Sequence, residues 1–402
     1  MPLLGRRKAT TDARHRELER PDYGWIWKPL LALLLLYLLV TLALGIWWSR
    51  EPPQFDVELA TAEQRQALDG DQSGLPGARG TVITATLKQV VDTLTDKPGG
   101  YLRNDIAPPG VWLDNMPNWE LGVLRQSRDM SASVLRMAGG DDANLEEAER
   151  RLQVGSRDWL YPAAEQRFGQ ASEVLAAYLS ELGGEGAEGL APQGEPLAAW
   201  LLQVEARLAD LTRRLSASIG ERDASRQLGI DADERPETTP WYRVDDIFFE
   251  ARGSGWALLH FLRGVERDYA DLLQAAEARD EWHQLIAELE MTQRRIWSPV
   301  ILNGSGFGLF ANHSLVMANY TVRARDLAGS LASRLAEVEV AEVHAAEEQQ
   351  AVEPLVDEVV EDDRAASEEA TSDEIGDESD DDEEVDEAQE AGPEADEGES
   401  TQ

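Results

Sequence analysis

Apolar residues along this chain follow two patterns. From Pro29 to Trp48 (PLLALLLLYLLVTLALGIWW) they form one unbroken run with no charged side chain between Lys28 and Arg50. Beyond about Thr81 they recur every three or four residues, the stripe of an amphipathic helix. Val82, Ile83, Leu87, Val90, Val91 and Leu94 make the first stripe, and Lys97-Pro98-Gly99-Gly100 ends it. A second helix is predicted from Trp119 to about Met137, and a short one capped by Asp141 or Asp142 runs to Val154. Pro162 opens the next, which reaches Leu182. Leu197 to Leu215 is helical, and residues 219–240 are a polar loop. Trp241, Val244, Phe248, Trp256, Leu259, Leu262, Val265 and Tyr269 keep helical spacing, with an interruption expected at Gly253-Ser254-Gly255. Trp282, Leu285, Ile286, Leu289 and Ile296 define another helix, and a last one spans about Leu309 to Ala341. No period-two run bounded by turn residues is present, so the fold expected is all-α and bundle-like.

The unbroken run has the dimensions of a membrane span. About 20 residues at roughly 1.5 Å rise each cross a hydrocarbon layer of about 30 Å. Ten of the residues from Leu30 to Trp48 are leucine, which favours insertion by about 3–6 kcal/mol at roughly 0.3–0.6 kcal/mol each. Trp25 and Trp27 precede the run and Trp47 and Trp48 close it, as in an interfacial aromatic belt. A buried core helix seldom runs so long, and Gly45-Ile46-Trp47 offers no small-x-small cleavage site, so the run reads as a signal-anchor. Arg6, Arg7, Lys8, Arg14, Arg16, Arg20 and Lys28 stand before it; after it come Arg50 and then Glu51, Asp56 and Glu58. The basic flank stays in the cytoplasm. The bulk is therefore expected outside, in the periplasm of a Gram-negative cell, with the bilayer as a partner through 29–48.

Seven segments follow from the pattern. Residues 1–28 are a cytoplasmic basic arm, 29–48 the anchor, and 49–80 a stalk with one short helix around Val57 to Leu68. Residues 81–182 and 197–341 are two helical subdomains joined by a Gly-rich linker at 183–196. Residues 342–402 lose apolar periodicity and read as a disordered acidic tail.

Charge narrows the partners. The net charge is −40, and residues 351–402 hold 24 carboxylates against Arg364 alone. Phosphate backbones are repelled by such a surface, which excludes nucleic acid; basic proteins or divalent cations suit the tail better. The chain has no cysteine, so disulfides, thiolate nucleophiles and thiolate metal sites are excluded together.

Residues Ser298 to Tyr320 read SPVILNGSGFGLFANHSLVMANY. Together with Tyr242-Arg243-Val244-Asp245-Asp246 and Gly255-Trp256-Ala257-Leu258-Leu259-His260, they resemble an uncharacterised proteobacterial inner-membrane family, domain of unknown function 2333. The resemblance runs from about Pro21 to about Ala341. It implies one span and a helical outer domain, and it supplies no catalytic residue to transfer.

Three constellations carry candidate chemistry. Asn303, Gly304 and Gly306 lie in a Gly-rich stretch whose amides suit an anion such as a cell-wall carboxylate, although a tight turn explains the same glycines. It lacks the Lys-Ser/Thr and preceding strand of a P-loop, so no nucleotide is expected. Asn312, His313 and Ser314 read as a helix cap in preference to a nucleophile and base, because helical neighbours point about 100° apart. Asp246 and Glu250 share a helix face, with His260 further along. They form either a general acid–base pair for glycan cleavage or a face salt-bridged by Arg243 and Arg252. No metal or cofactor is expected. The function expected is a non-enzymatic interaction module for unidentified envelope proteins, the alternative being a peptidoglycan hydrolase or lyase.

Overall fold

The structure, a computed structural model, describes residues 24–69, 77–184, 186–218, 238–295, 301, 312–336 and 338. Within these the chain is all-α, with no strand. The polar loop at 219–237, most of the 296–311 segment and the tail from 339 lie outside the described residues.

Helix α1 (Gly24–Trp48) takes in Lys28 and Pro29 near its start and is apolar on all sides beyond them. It contains a 23-residue stretch, Ile26–Trp48, whose most apolar 18 residues have a mean hydropathy of 2.6. A strap without regular secondary structure, 49–56, leads to α2 (Val57–Asp69), whose start is capped by Asp56 Oδ1 accepting the Glu58 and Leu59 amides at 2.9 and 3.0 Å. Backbone bonding to Leu59, opposed by desolvation, holds the Asp56 carboxyl below its usual range.

Helix α3 (Thr81–Asp96) follows Gly80, which lies at φ 99° and offers no side-chain cap. The cap comes from a distant helix: Asp268 accepts the Ile83 and Val82 amides at 2.7 and 3.4 Å. After α3 the chain turns through Lys97–Gly100, and a 3-10 turn (Gly110–Trp112) leads into α4 (Asn115–Met137). That helix begins four residues earlier than its apolar stripe, because Asp114 accepts the Asn115 amide at 2.9 Å. Asp142, as its sequence context predicts, caps α5 (Ala143–Leu152) by accepting from Leu145 at 2.8 Å. Helices α6 (Ala164–Leu182) and α7 (Gly194–Ala217) follow.

Helix α8 (Val244–Asp268) is the axis of the body. It packs most extensively on α4 and also meets α3, α7 and α10 (Arg279–Thr292), while α9 (Ala270–Ala275) makes the turn between α8 and α10. The last described helix, α11, covers 313–336. Trp119, Trp200, Trp282, Tyr269, Phe168 and Phe261 are the largest fully buried side chains of the cluster, which draws on α3 to α11.

The expected break at Gly253-Ser254-Gly255 is not there: α8 runs through it without interruption. Those small residues are where the helix meets its neighbours. A Cβ on Gly253 would collide with the Trp119 carbonyl, and one on Gly122 would collide with the Glu250 carbonyl. A Cβ on Gly255 would stand 2.7 Å from Thr292 Oγ1 of α10. Glycine here serves close packing of helix backbones, which offsets its helix cost of about 1 kcal/mol. Trp241, assigned by spacing to the apolar face, stands 86% exposed in a 3-10 turn (Trp241–Arg243) ahead of α8.

Gly122→Ala and Gly253→Ala are each expected to destabilise the full-length protein by about 3 kcal/mol through overpacking at this crossing. Gly169→Ala in α6, where nothing lies within 4 Å of the new Cβ, is expected to stabilise by up to about 1 kcal/mol. Guanidinium unfolding of the detergent-solubilised protein, followed by helicity, measures all three.

Candidate functional site

Two sites lie on opposite sides of α8. The first is a cleft of about 460 Å³ between α8, α4, α7 and the 102–114 segment. It contains both predicted carboxylates and five arginines: Arg103, Arg125, Arg157, Arg214 and Arg243. Glu250, 4% exposed, is gripped in a fork by Arg214, whose two Nη groups donate to Oε2 and Oε1 at 2.7 Å each. Arg125 donates to the same Oε1. Burial pulls the Arg214 guanidinium down, but its bonds and attraction to Glu250 outweigh that and leave it raised. Glu250 is thus an acceptor with both oxygens occupied.

Asp246 sits one turn earlier on the same face, as its spacing predicts. Its Oδ1 accepts from Asn118 Nδ2 at 2.6 Å, and Arg243 Nε stands 3.8 Å from Oδ2. Burial, then the neighbouring Asp245 and Asp114, push its carboxyl up. The two carboxylates therefore differ: one is locked by arginines, the other lies among acids. The expected ion pairing is half corrected. Arg243 faces Asp246, but Arg252 points away, and Glu250 is paired instead by Arg125 and Arg214 from other helices. Sequence spacing could not disclose those partners, which lie 125 and 36 residues away.

The second site joins the N-terminal helix to the body. Arg252, 6% exposed, spends every donor it has. Its Nε donates to Glu51 Oε1 and Oε2 at 2.7 and 2.9 Å, and Nη2 to Glu51 Oε2 at 2.8 Å. Nη1 donates to the carbonyls of Thr292 and Arg294 at 3.0 and 2.8 Å, and Nη2 also to that of Gln293 at 3.3 Å, so the end of α10 is bound too. Two turns on, His260 Nε2 accepts the Phe55 amide at 3.1 Å, while Nδ1 lies 2.7 Å from the Trp256 carbonyl, to which it donates. The imidazole stacks on Phe55 with ring centroids 4.0 Å apart. Burial above all, with Arg263 adding and the Trp256 carbonyl opposing, lowers His260 from 6.5 to about 4. The ring is neutral, as its acceptor role at Nε2 requires.

A buried ion pair braces the turn after α3, which carries Arg103 to the cleft. Lys97 and Glu120 meet with side chains 1% and 0% exposed. Glu120 also accepts the amides of Leu102 and Arg103 at 2.9 and 2.8 Å. Burial raises Glu120, and Lys97 and those amides oppose the rise.

Of the other candidates, Asn303, Gly304 and Gly306 lie outside the described residues. Asn312 Oδ1 accepts the Leu315 amide at 2.9 Å, which is the capping bond anticipated for α11. Ser314 is buried, and His313 is edge-on to Phe248 at 6.3 Å, its imidazole lowered by burial. Asn312, His313 and Ser314 are not among the groups that form the Glu250 cleft. Among the described residues no three His, Asp or Glu side chains converge on a metal position.

The neutral His260 makes stability depend on pH with a defined sign. The folded protein binds fewer protons than the unfolded chain between about pH 4 and 6.5, so the contribution is complete above 6.5 and lost as the pH falls towards 4. The stability difference between the native protein and His260→Gln is expected to shrink by about 2 kcal/mol between pH 7 and pH 5. Denaturant titrations at the two pH values measure it.

Compared with known proteins, residues 21–337 match the family described as an uncharacterized protein conserved in bacteria (DUF2333). The chain belongs to that family. No curated protein and no solved structure matches it.

Proposed function

We propose that this family member is a single-span protein of the bacterial inner membrane, its N-terminal arm cytoplasmic and its helical body periplasmic. It acts there through protein contacts in envelope maintenance or assembly. The observation that carries the reading is a 23-residue helix, uncharged beyond Lys28, whose last turns pack on the body at Gly45 and Trp48 and whose following strap is held there by Arg252 and His260. A detachable signal sequence has no use for packing its own last two turns, at Gly45 and Trp48, against the body. The basic excess before α1 supports the orientation.

A periplasmic glycan-cleaving enzyme is the rival. A general acid must hold a proton and present it to the bond being broken. Glu250 has both oxygens taken by guanidinium groups, which disfavours it; Asp246, with its raised carboxyl, is the better candidate for that role.

Alkaline phosphatase fused after residue 338 is expected to be active, and green fluorescent protein at the same place dark; the reverse would overturn the orientation. Purified sacculi incubated with the native protein and with the Asp246→Asn/Glu250→Gln double variant are expected to release the same background of glycan. Release that the double variant abolishes would establish the rival. Crosslinking in living cells with mass spectrometry then names the envelope neighbour.

A further inference from the structure

The body covers one stripe of α1. Thr41, Leu44, Gly45 and Trp48 are buried or half-buried, whereas every residue from Ile26 to Val40 is exposed. Their spacing puts them on one side of the helix. A Cβ on Gly45 would stand 3.7 Å from Pro109 Cβ and 3.9 Å from Leu113 Cδ2. One turn later the Trp48 indole lies against Gly99, where a Cβ would come within 2.7 Å of the ring. Residues 99–113 therefore lie beside the last two turns of the apolar helix, not beyond its end.

Length decides what surrounds them. The 23 residues of Ile26–Trp48 extend about 34 Å, close to the hydrocarbon thickness of about 30 Å. Were the bilayer to end at Thr41, keeping the body in water, Ile26 to Val40 would leave only about 22 Å. That falls short of a span. The loop has to share the leaflet with the helix.

Its chemistry fits that setting. Ile106, Val111 and Trp112 are 66%, 48% and 60% exposed, and no charged residue stands between Asp105 and Asp114. Pro108 and Pro109 carry no N–H. The amides of Val111, Trp112 and Leu113 donate to Ala107, Pro109 and Gly110 at 3.1, 2.9 and 3.0 Å. Irregular backbone tolerates lipid only where such groups are satisfied internally.

We infer that residues 106–113 are a second membrane element, a wedge whose Ile106, Val111 and Trp112 sit among the acyl chains beside the outer turns of α1. The inference rests on reading α1 as a span, and its test separates the two. Because the chain lacks cysteine, single substitutions take a polarity-sensitive fluorophore cleanly. Val111→Cys and Ile106→Cys report the loop, and Leu42→Cys, at an exposed position of α1, reports the span. Each labelled full-length variant of native helicity is reconstituted in vesicles with and without brominated acyl chains. Loss of fluorescence in brominated lipid is expected at position 42 and at the loop positions, and quenching at either loop position supports the wedge. Quenching at 42 with neither loop position affected overturns the wedge and leaves the span standing. No quenching at any of the three overturns both.

Discussion

The closeness of α4 and α8 governs the rest of the body. Gly122 and Gly253 let each backbone touch the other, with Trp119 and Trp256 tilted against each other alongside at 5.2 Å between ring centroids. At that separation neither helix can rotate or slide without driving a side chain into a carbonyl. Rotation is what matters, because α8 carries different work on different faces. Glu250 and Arg252 are two residues apart and so point about 200° apart around the helix axis. Arg252, Trp256 and His260, each four residues on from the last, share the face towards the strap. Turn α8 by a fraction of a turn and both the Glu250 fork and the Arg252 clamp come apart.

Buried charge supplies the orientation that apolar packing leaves loose. A buried ion pair contributes little net stability, since desolvation consumes most of the attraction, but an unpaired buried charge costs several kcal/mol. Lys97–Glu120 illustrates the consequence. Glu120 holds the amides of Leu102 and Arg103 as well as the ammonium, so the turn after α3 has one permitted geometry. Gly99 in that turn is the surface on which Trp48 rests. The pair therefore braces, at one remove, the surface against which α1 ends.

What the sequence discloses is what short-range physics decides. The apolar run, most of each helix stripe and the Asp142 and Asn312 caps depend on residues within a turn of one another, and they are found where their spacing puts them, Trp241 excepted. The glycines of α8 mislead for the same reason. Read along one chain they are helix breakers, and only the presence of α4 and α10 turns them into contact points. Arg252 shows the limit most plainly. Local spacing offers it Asp246 and Glu250, yet its carboxylate is Glu51, 201 residues away, and the fork on Glu250 comes from Arg214. Arginine side chains reach far enough that spacing along a single helix does not choose among their partners.

The strap between α1 and α2 then acquires a meaning that its composition hides. Ser49 to Asp56, with two prolines, reads as a stalk, and a free stalk of eight residues would let its ends wander by about 15 Å. Here it is held at Glu51 by Arg252 and at Phe55 by His260, both on α8. Two attachments to one rigid helix remove the freedom that a stalk exists to provide. On the proposed membrane reading, the body stands at a fixed angle with its 106–113 loop against the bilayer, and the Glu250 cleft, which shares Val111 and Leu113 with that loop, opens near the lipid surface. A partner reaching this cleft would approach along the membrane, not from the open periplasm.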